Sequence, residues 1–516
     1  MPAEATPDVL SASGAIELIR SRLTRIAVIT LNAVLAGCAV GPDFHRPAAP
    51  TTTTYTQRPL ASETASSPGE RSQRLAIGGD IPDQWWVLFH SRPLDQLIRD
   101  ALESSPSLGA AQAALREARE NLNAERGGLL YPSVDAQLSG ARQRVSAAST
   151  GQAGTGGAKL TVINATLNAS YNLDVFGGAR RRIEGAAAQV DLAHYELEAT
   201  YLTLTTSIVA TAIREASLRA QLQATREILA AEEHQLAVVR RQYELGAVSR
   251  LVLLSQRTQV ASTRATMPAI EKTLTQTRHQ LAVLAGRMPS DSGLPEFTLD
   301  MLQSPRELPV SLPSSLVRQR PDILASEALL HQASAQVGVA TAALYPTFSL
   351  TAQYGRSAAS WGALSKSESM VWSLLGGITQ PIFHGGQLTA QRRAAVAAYD
   401  QAAHQYRQTV LQAFANVADA LRGLESDADA LAAVAESDAA AKQTLDLAQK
   451  QYKLGAIGYL ALLDAQRQYQ LAHINLVQAQ ANRLSDTAGL FQALGGGWWN
   501  RTRPLAKVPT TLKTAD

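Results

Sequence analysis

Two hydrophobic patterns alternate along the chain, and the alternation occurs twice. The first pattern has period two. Ile163, Ala165, Leu167, Ala169, Tyr171 and Leu173 alternate with Asn164, Thr166, Asn168, Ser170, Asn172 and Asp174. Upstream, Val134, Ala136 and Leu138 alternate with Ser133, Asp135, Gln137 and Ser139. In the second half Phe348, Leu350, Ala352 and Tyr354 face off against Thr347, Ser349, Thr351 and Gln353, and an apolar-rich run covers 372–378. Such alternation over about ten residues predicts strands with one apolar and one wet face, as in a membrane barrel. A soluble sandwich would need many more strands than these four. A barrel needs about eight strands to close around even a filled interior, and a bilayer forbids open sheet edges. The pattern therefore predicts that several chains pool their strands.

The second pattern is helical. Residues 179–245 contain no proline and a single interior glycine, Gly185, and Ala, Leu, Gln, Arg and Glu fill them at helical spacing. At 1.5 Å per residue such a helix spans roughly 100 Å. Residues 387–454 form a second segment of similar length, and helices this long imply coiled-coil or helical-barrel packing. Shorter helices are predicted over 94–126, 251–285, 316–343 and 460–494, two flanking each long one. Landmarks recur in order. Gln242-Tyr243-Glu244-Leu245-Gly246-Ala247 returns 209 residues later as Gln451-Tyr452-Lys453-Leu454-Gly455-Ala456. Tyr131-Pro132 returns as Tyr345-Pro346, and Phe176-Gly177-Gly178 as Phe383 with Gly385-Gly386. This period far exceeds that of a small solenoid repeat. One end of each long helix joins a strand at the paired glycines, and the other is a turn at Gly246 or Gly455. The expected fold is mainly α with a membrane β-barrel: a duplicated strand-helix unit whose turns lie roughly 100 Å from the barrel. Such an object is a conduit.

Composition narrows the options. Aromatic residues make up only 5% of the 516, which suits long packed helices better than several compact cores. Net charge is +3 with signs interspersed, so no nucleic-acid patch stands out. No run of 18 apolar residues predicts a spanning helix. An enzyme is not expected: there is no His-Glu-x-x-His, Gly-x-Ser-x-Gly or Walker motif, and the nine histidines lack metal-ligand spacing. Neither a metal nor a cofactor is expected. The glycine-rich stretch 151–159 superficially resembles a phosphate loop but leads into a strand, so it reads as a surface loop with 360–369 as its counterpart. At the N-terminus Arg20, Arg22 and Arg25 precede an apolar stretch over 26–36, too short to span a membrane. Leu35-Ala36-Gly37-Cys38 follows and resembles a bacterial lipobox, with Cys38 the only cysteine and the residue expected to carry a covalent lipid. Ala39 in second place, not aspartate, implies the outer membrane. Residues 1–19 are long and acidic for an n-region, which points to a translation start downstream.

The expected organisation is a lipoprotein signal over 1–37 and a lipidated, poorly ordered tether over 38–80. A first structural repeat follows over 81–288, a Pro- and Ser-rich connector over 289–313, a second repeat over 314–497 and a polar tail over 498–516.

Several motifs carry a family resemblance. They are Leu35-Ala36-Gly37-Cys38, Gly41-Pro42-Asp43-Phe44-His45-Arg46-Pro47 and Arg318-Gln319-Arg320-Pro321-Asp322-Ile323. Tyr452 with Gly455, Tyr459-Leu460-Ala461-Leu462-Leu463-Asp464-Ala465-Gln466-Arg467 and Ala493-Leu494-Gly495-Gly496-Gly497-Trp498 complete the set. Together the chain resembles the TolC superfamily of outer membrane factors, in its lipoprotein efflux branch (NodT-type, OprM-like). The resemblance implies a homotrimer whose twelve pooled strands form one barrel above a long α-helical barrel in the periplasm. It also implies a passive export duct, anchored in outer membrane lipid and docked to a periplasmic membrane-fusion adaptor and an inner-membrane pump of the RND type. Such a system exports drugs and other small molecules.

By the same resemblance a periplasmic gate forms where Leu460, Asp464 and Arg467 approach the symmetry axis. Leu460 and Asp464 are four apart and share a helix face, so three copies would stack a dry constriction on a carboxylate ring. Arg467 or Tyr452 is expected to tie neighbouring helices together. Val252 and Ala461 are apolar where relatives can carry further acids, so any acidic ring is a single layer. The turns bearing Gly246, Ala247 and Val248, and Gly455, Ala456 and Ile457, are the expected adaptor-docking tips, their glycines serving equally as helix C-caps. Tyr131-Pro132, Tyr345-Pro346 and Arg320-Pro321-Asp322 read as structural, with proline ending or opening an element. The rival readings are a periplasmic lipoprotein adaptor and a scaffold without a pore.

Overall fold

The alternating segments do form strands. In the computed structural model residues 39–68, 71–145 and 158–502 are described, and they divide into two compact units. The signal segment 1–37, Cys38, the glycine-rich residues 151–157 and the tail beyond 502 lie outside the described residues.

The first unit combines residues 118–190 and 329–403 with the N-terminal residues up to 45. Its core element is an antiparallel sheet of β2 (Ser133–Val145), β3 (Ala158–Leu173), β5 (Thr347–Ala358) and β6 (Met370–Thr379), in the order β2-β3-β5-β6. The register places Leu138 opposite Ala165, Leu167 opposite Tyr354, and Tyr354 opposite Trp372, so these residues from all four strands share one face. On the opposite face Ser133 bonds Ser170 at 2.8 Å and Ser357 donates to Asn164 at 2.7 Å, the cross-strand pairing expected of a wet surface. β2 and β6 each have one side without a partner strand in the sheet. The expected loop over 360–369 contains a short helix, Trp361–Leu364, and a 3-10 turn.

At the end of β3 the chain turns through Gly177, whose φ of 82° lies in the left-handed region that glycine tolerates. The carboxylate of Asp174 then accepts the N–H groups of Ala179 and Arg180, both at 2.9 Å, and satisfies two orphan donors of the helix that follows. Periodicity gave no hint of that cap.

The duplication is exact in length for the main helices. The first long helix, Gly178–Glu244, and the second, Gln387–Lys453, have 67 residues each. Their returning partners, Arg250–Leu284 and Tyr459–Ala493, have 35 each. All four end alike. At Gly246, Gly286, Gly455 and Gly495, φ lies between 68° and 94°. Each glycine N–H bonds the carbonyl three residues back, and the next N–H reaches five back, as Ala247 does to Gln242 at 2.8 Å and Ala456 to Gln451 at 2.9 Å. This is the Schellman stop.

Three expectations are corrected. The predicted helix 94–126 is two helices, Arg92–Ser104 and Pro106–Leu130, and 316–343 is likewise Pro313–Gln319 and Pro321–Ala342. The breaks fall at Ser105 and Arg320, whose ψ values are 120° and 125°, because a following proline excludes the helical region. The supposed tether is not free. In the second unit β1 (Arg74–Ile77) pairs in parallel with β4 (Glu307–Val310), which lies in the expected connector. The guanidinium of Arg483, fully buried, donates to Thr64 Oγ1 and to the Arg71 carbonyl. Four-residue strands carry too little alternation to be seen in sequence.

The start of the polar tail is also packed. Trp498 Nε1 donates to the Gln319 carbonyl at 2.7 Å, and Arg501 pairs with buried Glu198 at 2.9 Å while lying over the Tyr201 ring. Burial raises the Glu198 carboxyl and pushes the Tyr201 phenol up to about 12, with Arg501 opposing both. Gly497, at φ 74°, lets the chain pass so close to Ile81 that an added Cβ would stand 2.5 Å from its carbonyl oxygen. Gly497→Ala should cost about 1–2 kcal/mol from the left-handed backbone alone, with the overlap adding to it. Urea unfolding of the purified protein should show a lower midpoint; an unchanged midpoint would mean that the wrap contributes nothing.

Candidate functional site

The expected gate residues sit on the second helical hairpin. Near its turn, Ala448, Leu462 and Ala465 form a small buried cluster, against which Leu445, Tyr452 and Ile457 pack. Tyr452 meets Tyr459 edge to face at 5.7 Å. Burial raises the phenol pKa of both. Tyr452 Oη donates to Gln242 Oε1 at 3.4 Å and so joins the ends of the two long helices. Only that member of the expected pair links helices. Arg467 turns instead to its own helix, where Nη2 meets Asp464 Oδ1 at 2.7 Å, and Gln468 donates to the other carboxylate oxygen at 2.7 Å. Positions three and four apart lie on one face, so the carboxylate is engaged locally before any neighbour arrives.

Leu460 is one turn from Asp464 and is 64% exposed in the single chain. Arg467 is exposed as well, and Asp464 is half-buried. An apolar side chain and an ion pair are thus displayed together on a wet helix face. In the first hairpin the same register holds Leu251, exposed at 67%, and Ser255, so the carboxylate has no counterpart there. Among the predicted tips, Gly246, Ala247, Gly455 and Ala456 are exposed, whereas Val248 and Ile457 are half-buried. Leu454, 83% exposed, and Leu245 stand out at the turns. Each directly precedes the glycine of its turn.

A second feature of this hairpin lies further from the turn. The carboxylate of Asp486 is tucked against Gly423 of the long helix, and its pKa is pushed up to about 7. Burial is the largest cause, followed by a hydrogen bond with Asp427 and the charge of that group. The two helices therefore bring two carboxyl groups together, and that crowding adds to burial in raising Asp486. Among the described residues no cluster of three or more His, Cys, Asp or Glu side chains could hold a metal ion. No helix among them is long and apolar enough to cross a membrane.

Comparison with known proteins gives one answer. The model of the family "Outer membrane efflux protein" matches residues 97–287 and 312–496, one span in each half of the duplication. The probable efflux pump outer membrane protein TtgC of Pseudomonas putida is 31% identical over 474 residues, covering 91% of this chain and 94% of TtgC. The solved structure of the outer-membrane channel OprN superposes with a TM-score of 0.80 at 26% identity, covering 89% of this chain and all of that one. The open state of the Neisseria gonorrhoeae MtrE outer membrane channel gives 0.78 at 29% identity, covering 90% of this chain and 100% of MtrE.

The carboxyl pair generates a pH prediction. Because the Asp486 pKa is raised in the folded protein, the pair stabilises fully below the ordinary value of 3.8, and that contribution is lost as pH rises towards about 7. Asp486→Asn should therefore flatten the fall in melting temperature between these pH values and raise it at pH 8. Parallel curves for the variant and the parent protein would show that the pair does not titrate there.

Proposed function

The chain belongs to the outer membrane efflux protein family and has the fold of TolC-type channels, and we propose that three copies pool their strands into one twelve-stranded barrel. It is an outer membrane efflux channel, a conduit with a periplasmic helical tunnel and a component of an efflux pump system. The rival readings of a periplasmic adaptor and a scaffold without a pore give way to this family. The observation that carries trimer formation is the four-stranded sheet with one apolar face and two outer strands that lack a partner on one side. Lipid cannot satisfy those backbone groups, so neighbouring chains must.

The duct is passive, and its periplasmic end is shut at rest by Leu460 with the Asp464–Arg467 pair beside it. Three symmetry-related leucines make a dry constriction; the adjacent ring carries as many guanidinium groups as carboxylates. The exposure of Leu460 in the single chain supports this reading, because a core leucine would be covered. The Tyr452–Gln242 bond is a weak tie that opening would break. Opening follows docking of a periplasmic adaptor, with an inner-membrane pump of the RND type behind it, onto the tips around Gly246 and Gly455. Exposed Leu245 and Leu454 supply apolar contact there. Cys38 carries a covalent lipid that anchors the chain in the outer membrane.

Leu460→Ala combined with Asp464→Ala should raise single-channel conductance in planar bilayers and sensitise cells to large antibiotics. Unchanged conductance in a correctly assembled trimer would remove these residues from the gate. Cys38→Ala should abolish palmitate labelling, and labelling that persists would place the acyl chain elsewhere.

A further inference from the structure

Charge is spread unevenly over the two hairpins of the sheet. From Ala136 to Leu173 there is no Asp or Glu, and from Thr347 to Gln380 the only one is Glu368. The same stretches hold Arg142, Arg144, Lys159, Arg356 and Lys366. The strands meet the helices at Ser133, Leu173, Thr347 and Thr379, and every one of these cations lies towards the other end of the sheet. In an outer membrane channel with a periplasmic helical tunnel, that end faces the cell exterior. The register fixes which side they occupy. Arg142 is opposite Thr161, Arg144 is opposite Lys159, and Arg356 is opposite both Ala165 and Met370. Residues two apart on a strand share a face, so these four strand cations stand with Leu138, Leu167, Tyr354 and Trp372 and not with Asn164 and Asn168. All four are exposed. Among the described residues Arg142, Arg144 and Lys159 form no ion pair. Arg356 gives one N–H to the Leu364 carbonyl at 2.9 Å and keeps its other donors. Like charges directly opposite across two strands destabilise the pair, so Arg144 and Lys159 call for an anion between them.

On the helix side of these cations the same face carries a groove of about 580 Å3. Cross-strand neighbours there alternate in size: Ala136 is opposite Leu167, Leu138 is opposite Ala165, and Ala165 is opposite Arg356. The small side chains leave a hollow between Leu138, Leu167, Tyr354 and Met370, and Arg356 also lines it. Tyr354 and Trp372, 60% and 72% exposed, are paired across β5 and β6. Aromatic rings on the outer face of a barrel strand mark the level of the lipid headgroups.

We propose that this rim binds an anionic, phosphate-bearing lipid of the outer leaflet. Arg142, Arg144, Lys159 and Arg356 hold its headgroup, and an acyl chain lies in the adjoining groove. The proposal rests on the reading of the apolar face as the lipid-facing wall of a pooled barrel and adds a ligand to that wall. Guanidinium groups suit the ligand because their forked N–H groups match phosphate oxygens. An exported solute is not the partner, since it travels along the wet face and these cations stand on the other. A lipid without net charge would leave the repulsion between Arg144 and Lys159 in place.

The test uses the purified full-length assembly and native mass spectrometry, with bisphosphorylated lipid A, phosphatidylcholine and glycerol 3-phosphate as probes. Lipid A should stay bound where phosphatidylcholine is lost, and glycerol 3-phosphate at equal concentration should not displace it. Each cation near an anionic lipid surface contributes about fivefold in affinity, so Arg144→Gln with Lys159→Gln should weaken lipid A binding about 30-fold. Lys272→Gln, an exposed change in the helical part, should leave it unaltered. Ala165→Leu, which fills the groove, should also weaken it. Because the cations face lipid, the double variant should keep the ion selectivity of the parent channel in planar bilayers. Equal retention of phosphatidylcholine, or undiminished lipid A binding in the double variant, would overturn the proposal. Displacement by glycerol 3-phosphate would make the rim a site for free anions, and altered selectivity would move the cations to the pore mouth; either overturns it. Unaltered binding in Ala165→Leu would remove the groove from the site. A protein that forms no heat-modifiable trimer would take away the barrel reading itself, a failure distinct from loss of lipid by an intact trimer.

Discussion

A backbone N–H or C=O left unpaired in hydrocarbon costs several kcal/mol, and this chain places two strand edges in that position. β2 and β6 lie at opposite margins of a sheet whose residues are apolar on one face and hydrogen-bonded side chains on the other. One subunit cannot resolve the conflict, since four strands are half of what a small barrel needs. Further copies must supply the missing partners. At the inner ends of the sheet, glycines in the left-handed region turn the strands into the long helices.

The helical part repeats in length but not in chemistry. Both hairpins have the same helix lengths and end in the same hydrogen-bonded stop, yet only the second carries Asp464 and Arg467 on its exposed face and the Asp427–Asp486 pair between its helices. Duplication supplied the geometry, and each half then acquired its own charged groups: the first hairpin instead buries Glu215 against Arg219 and Arg278. Asp464 illustrates the consequence. Its two oxygens are occupied by Arg467 and Gln468 at 2.7 Å each, so its charge is already countered from its own helix.

Much of this was legible in the sequence because it is periodic. The strands over 133–145 and 347–358, both 67-residue helices and the turns at Gly246 and Gly455 all follow from repeated local signals. The breaks at Ser105 and Arg320 were legible too, through Pro106 and Pro321, but helical composition on either side masked them. What stayed hidden depends on partners distant in sequence. Arg483 reads as a surface cation and is fully buried; Asp174 reads as the last polar residue of a strand and caps a helix. The segment after Cys38 looks like a loose linker from its prolines and threonines, yet glycine-on-glycine contact holds it down. Of the proposed gate, the face shared by Leu460 and Asp464 could be read from spacing, whereas the direction taken by Arg467 could not.

The matched hairpins also bear on stoichiometry. Each subunit ends in two turns built from the same six-residue motif, so a threefold assembly displays six notches that are alike in backbone and unlike in side chains. A protein shaped to recognise one such notch would find twice as many seats as there are subunits. Those seats would fall into two alternating classes, distinguished by Glu244 and Val248 in one and Lys453 and Ile457 in the other.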